Sequence, residues 1–133
     1  MPLLPKARDA NGEVFAYVRY NNRSPAENFL QASQEAMRKR FEGSFRAACI
    51  MGATYRNDER FKPLKGDGKP LWEFKEHDHR LYCLREQYGQ RVRIVLFNGW
   101  VKDKGKGGRR EETREITTAQ HLYQEYVHET GGN

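Results

Sequence analysis

The amino-acid sequence predicts an α+β fold: a twisted antiparallel sheet with two N-terminal helices and a C-terminal helix packed on one side. Two observations predict this class. Apolar residues recur every three or four positions in two long segments, which is the period of a helix. Four other segments are rich in β-branched and aromatic residues, and turn-forming residues separate them. The order of segments is strand, two helices, three strands and helix, which is typical of an α+β domain.

The N-terminal part is predicted to contain a flexible lead, a strand and a short helix. Residues 1–12 contain two prolines and three turn-forming residues, so we expect a flexible lead. Residues 13–20 (EVFAYVRY) have the composition of a strand. Ser24 can cap a helix, Pro25 fits its first position, and Glu27 completes a capping box.

A second helix is predicted to begin at Gln34, with Ser33 as its cap. Gly52 marks its end. Its apolar stripe consists of Met37, Phe41, Phe45, Ala48 and Met51. The charged residues beside the stripe are expected to form a solvated helix face.

Three strands are predicted after a connecting loop at residues 57–69. Residues 71–75 alternate in polarity, and residues 79–85 form the next strand. Residues 92–101 are the most apolar of the three, so this strand is expected to be central. Residues 87–90 contain a glycine and predict a hairpin turn between the last two strands.

The C-terminal part is predicted to contain a basic loop, a helix and a tail. Residues 102–110 are rich in glycine and lysine, and residues 113–128 have a helical apolar period. Residues 129–133 form the tail. A chain of 133 residues fits one modest core, so residues 13–128 are expected to be a single domain.

Charge and cysteine usage restrict the class of protein. The formal net charge of +6 indicates an anionic partner, although charge alone does not specify a fold. Cys49 and Cys83 lie among apolar residues and are expected to be buried thiols in a reducing compartment. Neither a secretory signal nor a membrane span is recognised, so a cytoplasmic protein is expected.

Cationic side chains at the predicted strand ends are the main indication of chemistry. Lys75, Arg80 and Lys102 occur there without a carboxylate pair, a Ser-His-Asp set or a cysteine cluster. Lysine and arginine without such partners indicate a phosphate-bearing substrate, and RNA is the leading candidate. His77 and His79 lie in one turn, where a solvated turn is a better interpretation than a metal site. No metal and no cofactor is expected.

Four segments give the chain a resemblance to a known family. They are RSPAENFL, KPLKGDGKPLWEFK, HRLYCL and VLFNGWVKDKGK. Together they resemble the RelE superfamily of bacterial toxins, in particular its phage-derived HigB-like branch, over residues 17–126. The resemblance implies a RelE-like fold and a metal-independent endoribonuclease that cleaves mRNA, in many members on the ribosome, and so inhibits translation. It also implies a cognate antitoxin, often of the helix-turn-helix type, as partner in a type II toxin–antitoxin system.

The resemblance also implies three catalytic residues. Lys75 matches a strand lysine that transfers a proton, and crowding by other cations would bring its pKa towards that of a base. Arg80 and Lys102 match residues that bind the scissile phosphate and stabilise the transition state, and Lys104 is a substitute for Lys102. Glu73 departs from the lysine of the RelE branch, although acidic residues are usual there in the HigB-like branch.

Further residues are candidates for RNA binding. His79 is expected to assist proton transfer or to stack on a base. Trp100 has two interpretations, stacking on a base or packing in the core. The cations expected to contact backbone phosphates are Lys104, Lys106, Arg109 and Arg110.

Two alternatives stay open at this point. One is a ParE-like toxin that inhibits DNA gyrase by binding the protein. The other is a non-catalytic module of the same fold that binds RNA or an antitoxin. No tyrosine matches the one that assists RelE, since Tyr123 and Tyr126 belong to the apolar period of the last helix. The general acid therefore stays unassigned.

Overall fold

The computed structural model describes residues 3–102 and 108–131. The α+β class is confirmed, with a six-stranded sheet and three α-helices in this described part of the chain. The strands are β1 (Leu3–Asp9), β2 (Gly12–Tyr17), β3 (Phe61–Pro63), β4 (Trp72–Glu76), β5 (His79–Tyr88) and β6 (Arg91–Val101). The helices are α1 (Pro25–Ala32), α2 (Glu35–Met51) and α3 (Gly108–Glu129).

The sheet is mixed, which corrects the prediction of an antiparallel sheet. Its strand order is β1-β2-β6-β5-β4-β3. All neighbours pair antiparallel except β2 and β6, which run parallel with Phe15 opposite Val95. Parallel neighbours need a long crossover connection, and here that connection includes two helices and three strands. β6 is central, as predicted.

The predicted flexible lead is corrected, because most of it forms the edge strand β1. The turn-forming residues at its end make a tight hairpin into β2, in which Asp9 lies opposite Gly12. Pro5 cannot donate a hydrogen bond, but an edge strand tolerates proline, and the register shifts between Pro5 and Ala7. Because it contains prolines and charged residues, this strand could not be recognised from its composition.

A second unpredicted strand, β3, lies at the opposite edge of the sheet, within the predicted loop. Phe61 lies opposite Phe74 and Lys62 lies opposite Glu73 on β4. Three residues are too few for alternation in polarity to be recognised. The pairing is extended by one residue, since the Lys75 N–H donates to the Arg60 carbonyl at 2.8 Å.

The start of α1 is predicted correctly, but only half of the capping box forms. The Ser24 hydroxyl accepts a hydrogen bond from the Glu27 N–H at 3.2 Å. The Glu27 carboxylate does not return to Ser24 and instead accepts from Lys6 Nζ at 2.6 Å. The capping residue of α2 was predicted wrongly, because the Ser33 hydroxyl donates to the Phe29 carbonyl at 2.9 Å and so closes α1.

The helices cover both faces of the sheet, which corrects the predicted one-sided packing. The helices α1 and α2 pack on one face, around Phe45 and Phe74. Helix α3 packs on the other face, around Phe97 and Tyr126. The central strands β5 and β6 are apolar on both sides, as expected for strands covered twice.

One irregularity in β6 determines which side chains reach the α3 face. Tyr82 on β5 lies opposite Asn98 on β6, whereas the next residue, Cys83, lies opposite Leu96. Phe97 is therefore an extra residue in β6, a β-bulge. Beyond it, the alternation of β6 is set so that Trp100 joins the core beneath α3.

The two thiols are buried and free, as predicted for Cys49 and Cys83. Burial raises the pKa of Cys49 to about 11, so it is protonated at neutral pH. Within residues 3–102 and 108–131, the structure contains no helix long and apolar enough to cross a membrane.

Candidate functional site

The three predicted catalytic cations come together at one end of the sheet. Lys75 near the end of β4 lies directly opposite Arg80 near the start of β5. Arg80 in turn lies opposite Trp100 near the end of β6. Lys102 follows β6, and its N–H donates to the Asp78 carbonyl at 2.6 Å. Antiparallel neighbours bring these strand ends to one edge, so residues far apart in sequence become neighbours.

An open depression lies beside these strand ends. It has a volume of about 580 Å³ and is lined by His77, Asp78, Arg80 and Lys102. Arg80 Nη1 donates to the carbonyls of His77 at 2.6 Å and His79 at 3.0 Å, which fixes the guanidinium against the β4–β5 turn. A guanidinium carries five N–H donors, so further donors stay available for the oxygens of a phosphate.

The environment of Lys75 disfavours its charged form. Partial burial lowers the pKa of its ammonium group, and the charges of Lys62, Arg80 and Lys102 lower it further. The Glu73 carboxylate acts in the opposite direction. A lysine whose pKa is lowered by burial and by like charges is the kind of group that transfers protons near neutral pH.

Glu73 is a residue of the site to which the sequence assigned no role. Its side chain is only 7% exposed, and it lies opposite Lys62 on one side and Tyr82 on the other. Burial raises the pKa of its carboxyl group, whereas Arg80, Lys62 and Lys75 oppose that shift. The sequence did contain an indication that Glu73 belongs to the site. Glu73 and Lys75 are two positions apart, and side chains at this spacing lie on one face of a strand.

An acidic residue from α3 lies beside Lys102. Glu112 Oε2 lies 3.7 Å from Lys102 Nζ, and both side chains are partly exposed. Exposed ion pairs of this kind contribute at most about 1 kcal/mol. A bound phosphate would therefore displace Glu112 from Lys102 at little cost.

The prediction that His79 belongs to the site is wrong. Neighbouring strand residues point to opposite faces, so His79 points away from Arg80. Its ring packs towards Phe29 and Phe41 on the α1–α2 face, at centroid distances of 5.6 and 6.5 Å. The histidine that lines the depression is His77, an exposed turn residue with a φ of 55°.

Of the two interpretations of Trp100, packing in the core is correct. Its side chain is 7% exposed, and its indole N–H donates to the Tyr82 hydroxyl at 2.9 Å. A ring buried in this way offers no face to a base, which corrects its assignment to RNA binding. Tyr82 is buried with it, and burial raises the pKa of its hydroxyl.

The four predicted phosphate-binding cations divide into two groups. Lys104 and Lys106 lie outside the described residues. Arg109 and Arg110 are exposed in the first turn of α3, which begins at Gly108, and so they do not belong to a loop as predicted. Good helix formers such as arginine and glutamate extend α3 beyond its apolar period.

No family model matches the chain, and no curated protein matches it either. Clustered Lys and Arg side chains beside a buried carboxylate can bind a phosphodiester and move a proton.

The raised pKa of Glu73 predicts a pH-dependent effect of Glu73→Gln on stability. A carboxyl group whose pKa is higher in the folded protein stabilises it fully below the unfolded value of about 4.3, and this contribution is lost as the pH rises through the folded pKa. Glutamine does not titrate. The free energy of unfolding of the variant, relative to the wild type, should therefore increase as the pH rises from about 4 towards neutrality. Urea denaturation of both proteins across this range measures it, and a constant difference would contradict it.

Proposed function

We propose that this protein is the toxin of a type II toxin–antitoxin system: a HigB-like, metal-independent endoribonuclease of RelE type that cleaves mRNA on the ribosome. The observation that carries the proposal is the meeting of Lys75, Arg80 and Lys102 at one end of the sheet, beside an open depression. The lowered pKa of Lys75 supports it further, because a nuclease without a metal needs a side chain that transfers protons.

The reaction assigned to this site is attack of a ribose 2′-oxygen on the adjacent phosphorus. A base removes the proton of the 2′-hydroxyl, the new P–O bond forms, and the bond to the 5′-oxygen breaks. The leaving oxygen takes a proton from an acid, so the products are a 2′,3′-cyclic phosphate and a 5′-hydroxyl. This reaction needs neither an oxidant nor a metal.

The residues divide this work according to their charges. Arg80 and Lys102 stabilise the negative charge that builds up on the phosphate oxygens. Lys75 and Glu73 lie two residues apart on one strand face and provide one group that donates a proton and one that accepts it. Glu73 thus adds a second candidate for proton transfer beside Lys75.

The fold and the partners belong to the same proposal. The order β2-α1-α2-β4-β5-β6-α3 supports a RelE-like arrangement, to which β1 and β3 are added at the edges. The net charge of +6 supports an acidic partner, and we assign the cytoplasm as its location and a cognate antitoxin as its inhibitor. A gyrase-binding toxin or a non-catalytic module would not need three cations at one end of the sheet, two of them lining one depression.

The Lys102→Ala variant tests this proposal. Its rate of RNA cleavage is expected to fall about 10²-fold or more, because a cation that faces the transition-state charge is lost. The fold should survive, since Lys102 is half-exposed and its backbone bond to Asp78 does not depend on the side chain. Regulated expression in a bacterial host, with growth followed and transcript ends mapped, measures the effect.

A matched control removes one positive charge elsewhere. Lys39 lies on α2, on the other side of the sheet, and is 71% exposed. Lys39→Ala should retain growth arrest and new transcript ends at the wild-type level. Arrest with intact transcripts in the wild type would favour the gyrase-type target, and no arrest would favour the non-catalytic module.

A further inference from the structure

Lys62 is a cation near the site that has no role in the chemistry above. It lies on β3, directly opposite Glu73, and directly opposed residues of an antiparallel pair point to the same face. The order of positions across the sheet is therefore Lys62, Glu73 and Tyr82, one row away from Lys75 and Arg80. Lys62 thus adds a basic side chain at the edge of the sheet, on the same face as Lys75 and Arg80.

The charge of Lys62 acts on the same residues as the catalytic cations do. It opposes the raised pKa of Glu73, and after burial it is the largest cause of the lowered pKa of Lys75. Both effects require that its ammonium group lies close to β4. A phosphate bound there would neutralise a charge that otherwise destabilises the cationic form of Lys75.

The spacing of the strands separates Lys62 from the phosphate site already described. Neighbouring strands lie about 4.8 Å apart, and Lys62 is two strands and two residues away from Arg80, a backbone separation of about 12 Å. The buried carboxylate of Glu73 lies between them and repels any phosphate placed at the centre. Two phosphates of one chain, rather than a single phosphate, fit this arrangement.

The edge position of β3 leaves room for a chain to pass. β3 is the last strand of the sheet, so within residues 3–102 and 108–131 no strand lies on the outer side of Lys62. Helix α3 is tied to the β3–β4 loop, where Gln120 donates to the carbonyls of Asp67 and Lys69 at 2.9 Å each, and the Lys62 side chain stays partly exposed. A nucleic acid strand that enters at the depression can therefore leave past β3.

We propose that Lys62 forms a second phosphate subsite, which binds the backbone phosphate next to the one held by Arg80 and Lys102. The ligand is then a single-stranded RNA that crosses the ends of β5, β4 and β3. Naming the first of these phosphates as the scissile one rests on the proposed nuclease function. The subsite itself requires only that a polyphosphate chain binds to this face.

Binding of an RNA that cannot be cleaved tests the subsite. The probe is a fluorescent 2′-O-methyl oligonucleotide, which lacks the attacking hydroxyl, titrated at several salt concentrations. Lys62→Ala should raise the Kd about tenfold, the size of one charge-assisted hydrogen bond. The slope of log K against log salt should become shallower by about 0.7, the value for one phosphate contact with a single strand.

Two further variants separate the possible failures. Lys39→Ala removes the same charge on the far side of the sheet and should leave both the Kd and the slope unchanged. If Lys62→Ala behaves like Lys39→Ala while Arg80→Ala weakens binding, the second subsite is excluded and the nuclease proposal stands. If the wild type does not bind the oligonucleotide at all, both proposals are overturned. Lys62→Gln, which keeps most of the side-chain length, should reproduce the alanine result if charge is the cause.

Discussion

Replacing Arg80 with alanine is expected to abolish growth arrest and to lower the rate of RNA cleavage about 10²- to 10³-fold. Two backbone carbonyls of the β4–β5 turn fix the guanidinium beside the depression, so its donors are placed before the substrate arrives. Donors placed in advance need no reorganisation when charge builds up on the phosphate. Cleavage of a defined RNA under single-turnover conditions gives the rate, and growth of the expressing host gives the arrest.

Two comparisons show whether position or charge is responsible. Arg80→Lys keeps the charge but loses the planar fork that binds two phosphate oxygens, so it should recover only part of the rate. Arg46→Ala removes an exposed arginine from α2, on the opposite side of the sheet, and should cleave at the wild-type rate. Equal rates for Arg80→Ala and the wild type would remove Arg80 from the site.

Replacing Phe74 with alanine is expected to lower the free energy of unfolding by about 3–5 kcal/mol. Phe74 is fully buried on β4. The centroid of its ring lies 4.3 Å from that of Phe61 and 5.0 Å from that of Phe45. The substitution leaves a cavity between β3, β4 and α2. Since domains of this size are stable by about 5–15 kcal/mol, the loss is a large fraction of the total.

Urea denaturation measures this loss, and an exposed aromatic residue provides the control. Tyr20 is 78% exposed, so Tyr20→Ala should change the free energy of unfolding by less than about 1 kcal/mol. Phe74 lies between Glu73 and Lys75 in sequence but points to the other face, so its loss tests the support of the site rather than its chemistry. A change below about 1 kcal/mol for Phe74→Ala would mean that β4 is not packed as described.

The elements predicted correctly from the sequence are those that local signals specify. The start of α1 follows from Ser24 and Pro25, and the β5–β6 hairpin follows from two apolar segments with Gly89 between them. The edge strands β1 and β3 could not be predicted in this way. Their residues form strands because a neighbouring strand pairs with them, and not because of their own composition.

The site shows the same division. That Lys75, Arg80 and Lys102 lie at strand ends could be predicted, because cations at these positions form a pattern in the sequence, and the structure brings them to one end of the sheet. The faces to which side chains point were harder to predict, since they depend on register. His79 was therefore assigned to the wrong face, and Lys62 received no role because the strand that carries it was not recognised.

The extra residue in β6 means that this strand can lose one residue and still present the same side chains to the site. When Phe97 is left out, the pairs on its two sides, Tyr82 with Asn98 and Cys83 with Leu96, follow one another as in a regular antiparallel ladder. A variant that lacks Phe97 should therefore lose a buried ring from the core but keep Trp100 opposite Arg80. A residue inserted after Phe97 would instead turn the rest of β6 to the opposite face. Insertions in β6 should therefore be far less tolerated than deletion of the bulge residue.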